Sequence, residues 1–114
     1  MARLPSQIRE TIRNLLEELM EIVEDASEAE FTLFERFGEI DSTIDSLTDL
    51  KTVGEEAASR YSGLSNIRLR IGQAQPAASA DMLRLLERAI TETELRIPAW
   101  KRSVQEIKIE WNLP

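Results

Sequence analysis

The chain holds neither histidine nor cysteine among its 114 residues. Without histidine there are no Ser-His-Asp or Cys-His nucleophilic systems, no imidazole general base and no imidazole metal sites. A ferritin-like di-iron bundle, which needs Glu-x-x-His pairs, is excluded on the same ground. Without cysteine there are no disulfides, thiolate zinc sites or thiol nucleophiles, and the cytoplasm is the default compartment. Glycine is scarce, and its four copies stand far apart with no Gly-Lys-Ser/Thr among them, so no phosphate-cradling loop is present. Aromatics make up 5% of the residues, which leaves a core of Leu, Ile, Val and Ala. Apolar runs never exceed two residues, too short for a transmembrane span or a signal-peptide core. The start, Met1 to Pro5, leads straight into an amphipathic pattern, and a soluble, cytoplasmic protein is expected.

What the chain does have is a spacing. From Ile8 the apolar residues fall at Ile12, Leu15, Leu19, Ile22, Ala26, Ala29 and Leu33. A step of four leads to Phe37, and the alternation resumes at Ile40, Ile44 and Leu47. A second run passes from Leu83 through Leu86, Ile90, Thr93, Ile97, Trp100, Val104 and Ile107 to Trp111. A period near 3.5 draws one seam along a helix, and that seam must be buried against other helices. Leu16 and Val23 widen the stripe beyond what a two-stranded coiled coil uses, which suits a helix with two neighbours.

The expected fold is all-α: an elongated antiparallel bundle of about three helices with coiled-coil-like seams, forming one domain over 1–114. The helices are placed at about 6–50, 53–74 and 79–104, followed by a tail over 105–114. Ser6 is the expected first N-cap. Ser27 with Glu30 and Thr52 with Glu55 have capping-box spacing. The seam nevertheless crosses Ala26 and Ala29 in phase, and no proline interrupts 6–50, so one long helix is favoured. The four-four step at Leu33 and Phe37 then reads as a stutter that relaxes supercoiling. The first reversal falls at Lys51–Gly54. Residues 73–80 form a loop that ends at Ser79, an N-cap with Asp81 in the first turn. Pro98 is expected to kink or end the last helix near Ile97.

Two segments alternate with the period of a strand. Ile67 to Ile71, which holds Arg68 and Arg70, favours helix, whereas Ile107 to Leu113 leaves helix and a short C-terminal strand both open. A first helix as long as 6–50 would outreach the second and leave apolar seam uncovered, which predicts self-association or a partner helix.

The net charge of −7 is uneven. Residues 1–50 carry 4 basic and 13 acidic side chains, and residues 51–114 carry 10 and 8. An acidic half works against nucleic-acid binding, and an acidic polar face works against a membrane-surface role. Either the two halves complement each other across the bundle, or the first offers an acidic surface to a basic partner. Glu18, Glu21, Asp25 and Glu28 line one helix flank, and a solvated face explains them better than a divalent-cation site.

These features predict a non-enzymatic protein–protein interaction module (an adaptor, small subunit or assembly scaffold) without cofactor, metal or small-molecule substrate. Its partner is another protein or a second copy. The alternative is an acidic regulatory or inhibitory protein that binds a basic surface. Phe31 and Phe34, spaced three apart with Phe37, are either filler at a helix crossing or an exposed docking patch. In the tail, Ile107, Ile109 and Trp111 are the remaining candidate contacts. A strand there would put them on one face, suited to pairing with a partner's sheet edge. Trp111 is an unusual residue for a free end, and it either packs back on the bundle or docks.

Overall fold

The computed structural model describes residues 3–114. They form three helices, α1 (Ser6–Phe37), α2 (Ile44–Gln73) and α3 (Ala80–Glu110), packed into an elongated bundle of 56 × 20 × 17 Å. Among the described residues there is no strand. The helices hold 32, 30 and 31 residues, each roughly 45–48 Å long at 1.5 Å per residue.

Contacts between side chains set the directions. Gly54 lies opposite Ala26 across the α1–α2 hairpin, so these helices are antiparallel. Arg60 reaches Glu92 and Arg96 reaches Glu56, so α2 and α3 are antiparallel as well. Consequently α1 and α3 run parallel, with Lys101 beside Glu18 and Arg36 donating to the Asn112 carbonyl.

The seam of α1 is the one its spacing draws: Ile12, Leu15, Leu19, Ile22, Ala26, Ala29 and Leu33 are all buried. They pack on Leu50, Val53, Ala57, Leu64 and Ile71 of α2, and on Leu86, Ile97, Trp100, Val104 and Ile107 of α3. Thr93 also lies on the α3 seam, fully buried, and satisfies its hydroxyl by donating to the Ala89 carbonyl at 2.7 Å.

The long first helix is overturned. The chain reverses at residues 38–43, and Lys51, Thr52 and Gly54 lie inside α2. Two local devices make the turn. Gly38 ends α1 at φ 75 and ψ −178, a conformation that L side chains avoid, and its N–H donates to the Phe34 carbonyl. Thr43, wholly buried, then ties the loop: its Oγ1 donates to the Gly38 carbonyl at 2.7 Å and accepts from the Ile40 N–H at 3.0 Å. With three helices of nearly equal length, no helix overhangs its neighbours, and the seam left over by an overlong helix does not exist.

Other boundaries shift for similar reasons. Pro5, not Ser6, occupies the first N-cap, and no side chain caps there. Ser79 does cap α3, accepting from the Met82 N–H at 3.1 Å. Pro98 neither ends α3 nor keeps it from reaching Glu110. Proline and Glu94, whose carbonyl loses its helical donor, are both exposed, so water can take that carbonyl. Residues 67–71 are helical, and α3 runs on through 107–110 in place of a strand. Ile107 and Trp111 are one helical turn apart and both turn toward the bundle, which favours the helix over the alternating pattern.

Candidate interaction surface

Among the large apolar residues left exposed, Phe31, Phe34, Phe37, Ile40 and Ile44 gather at the hairpin end of the bundle, whereas Ile8, Leu69, Leu83 and Leu85 lie toward the opposite end. Ala26 faces α2, and the flank of α1 beside it carries Phe34 and Phe31, with exposures of 52% and 66%. Across from them α2 supplies Ile44 and Leu47, because the tight turn starts α2 directly beside the last turns of α1. These four side chains line an open groove of about 500 Å³, edged by Ser27, Glu30, Glu39, Thr48 and Lys51. Ile40, exposed at the turn, extends the patch over the tip. A smaller depression of about 260 Å³ lies on the other side of Phe31, between α1 and the C-terminal residues Leu113 and Pro114. Phe31 is therefore the ridge between two concavities.

The candidates in the tail separate. Ile107 is drawn into the core at 7% exposure and offers nothing to a partner in this structure. Trp111 packs back: its ring lies 5.2 Å from that of Phe37, and its Nε1 donates to Ser46 Oγ at 3.1 Å. It clasps the C-terminus to the hairpin, helped by Arg36 on the Asn112 carbonyl at 3.3 Å. Ile109 stands alone on the outer face of α3, 70% exposed. Thus Phe31 and Phe34 share one surface, and the three tail residues do not join it as a set. The groove wall of Ile44 and Leu47 escapes a reading that runs α1 through to residue 50. Its signal was present: Arg36 and Phe37 followed by Gly38 make a helix end, and Asp41-Ser42-Thr43 make a helix start.

Electrostatically the hairpin end is mainly acidic, with Lys51 the basic residue on the groove's edge. Residues 24–49 carry nine carboxylates and one basic side chain, Arg36. Among the described residues the ion pairs between helices are Arg60–Glu92, Arg96–Glu56 and Lys101–Glu18, and none involves those nine. The two halves of the chain therefore complement each other only sparsely. On the α2–α3 side, Glu56 Oε1 accepts from both Arg96 and Trp100 at 3.0 Å, and the guanidinium of Arg96 lies 5.2 Å from the Trp100 ring. That cluster is satisfied internally and joins α2 to α3.

Among the described residues no three acidic side chains converge to hold a metal ion, and no helix is long and apolar enough to cross a membrane. Comparison with protein-family models, curated proteins and solved structures found no match to this chain.

Proposed function

We propose that this small helical bundle is a non-enzymatic interaction module, an adaptor, subunit or scaffold element that docks another protein on its hairpin end. The observation that carries this reading is the pair Phe31 and Phe34, exposed side by side over an apolar groove while the core beneath is closed without them. Large aromatics exposed together are costly to solvate, and in interfaces they supply much of the binding energy. Incorporating photoreactive benzoylphenylalanine at position 34, with Arg88 on α3 as the control position, tests it in cells of the native source. A discrete adduct from position 34 alone is expected, and equal adducts from both positions would contradict it.

A second reading, an acidic regulator held to a basic surface by charge alone, draws on the carboxylates of residues 24–49, which form no ion pair among the described residues. Salt separates the two. A charge-only complex dissociates as ionic strength rises, whereas docking on the aromatic groove persists.

A further inference from the structure

The groove between α1 and α2 has two properties that together select an occupant. Its floor is apolar and is walled by two antiparallel helices, so a third helix laid along it would rest its apolar face on Phe31, Phe34, Ile44 and Leu47. Around it the charge is mainly acidic: Glu30 and Glu39 outnumber Lys51 on its edge, nine of the ten ionisable side chains in residues 24–49 are acidic, and among the described residues none of the nine is in an ion pair. A second copy of this chain would bring the same carboxylates against themselves, with −7 on each molecule. A neutral or acidic helix would leave them unmatched. Resting on the interaction-module reading above, we infer that the groove takes a cationic amphipathic helix from a protein partner. Its apolar face lies on the phenylalanines and its Lys or Arg residues meet Glu30, Glu39 and their neighbours.

Peptides of about 18 residues, long enough to become helical when docked, serve as probes. One is an amphipathic Leu–Lys helix, one its Leu–Glu counterpart, and one a Leu–Lys peptide of the same composition with the apolar period scrambled. Fluorescence anisotropy with the full chain should show saturable binding of the amphipathic Leu–Lys peptide and none of the Leu–Glu peptide. The scrambled peptide should bind roughly tenfold more weakly or worse, because charge alone remains. Phe31→Ser with Phe34→Ser should weaken the Leu–Lys peptide by a similar factor, and circular dichroism checks that this variant keeps its helix content. Glu30→Gln with Glu39→Gln should weaken it too, while leaving the apolar floor intact. Equal binding of the scrambled or the Leu–Glu peptide would overturn the inference. So would unchanged affinity in the phenylalanine variant, or a wild-type dimer that this variant dissociates. If position 34 cross-links a partner in cells while the Leu–Lys peptide fails to bind, only the occupant is wrong. If both fail, the interaction-module reading falls with it.

Discussion

At the scale of single residues, the hairpin depends on one backbone conformation and one hydroxyl. Gly38 sits at φ 75 with nothing within 4 Å of where a Cβ would stand. Gly38→Ala therefore meets no steric clash and registers the backbone cost alone, about 1–3 kcal/mol in urea unfolding. Thr43→Val fills the same space but leaves the part-buried Gly38 carbonyl and Ile40 N–H without the hydroxyl that pairs them. A loss of about 1–3 kcal/mol is expected, and Thr43→Ser should recover most of it. Trp111→Phe keeps an aromatic ring beside Phe37 but removes the donor to Ser46 together with part of the indole's bulk; if the hydrogen bond dominates, the cost should be about 1 kcal/mol. A larger loss would mean that the indole's bulk, and not its hydrogen bond, holds the clasp.

At the scale of elements, the seams were legible and the ends were not. The spacing from Ile12 to Leu33 marks the buried face of α1 because burial selects residues by angle around the helix, and that angle is written in the sequence. The same period runs on through Phe37, Ile40 and Ile44, yet all three are exposed. Spacing cannot distinguish a helix that continues from a tight turn that happens to preserve the count. What decides is the φ of Gly38 and the bonds of Thr43, which depend on geometry the spacing does not encode. Pro98 shows the opposite failure: a sound local rule yields to tertiary packing, since Ile97 and Trp100 on either side are buried and hold the helix in place. Pro98→Ala, which restores a donor to the Glu94 carbonyl, should stabilise the chain by about 1–3 kcal/mol. Gly54→Ala should be neutral or stabilising by up to about 1 kcal/mol, because Gly54 is mid-helix and an added Cβ would stand 3.7 Å from that of Ala26. Were Gly54 the reversal, the same change would be destabilising. As for the binding surface, Phe31 and Phe34 could be read from the chain. Their opposing wall was harder to read, because Ile44 and Leu47 reach them only through the turn at Gly38, whose end and start signals the unbroken apolar period outweighs.

At the scale of the whole molecule, the shape and the charge point the same way. The Cα radius of gyration is 17.2 Å, against about 13 Å for a compact globule of this length. Small-angle scattering of the isolated chain should give a monomer with a radius near 17.2 Å, and a stable dimer that Phe31→Ser with Phe34→Ser dissociates would exclude the cationic-helix occupant. A rod this thin buries a narrow core and keeps much of its surface for contact. At one end that surface is both apolar and acidic, and the aromatic pair at its centre plays no part in closing the core.

That last point is the most direct test of the interaction reading. Phe31→Ser with Phe34→Ser should leave the melting temperature within about 3 °C of the wild type, since exposed side chains contribute little to the fold. In extracts of the native source, the tagged wild-type chain should elute in a complex larger than its own 13.0 kDa, and the variant should elute alone. A variant that stays in the complex, or one whose melting temperature falls by ten degrees or more because the phenylalanines were holding the bundle together, would contradict the account.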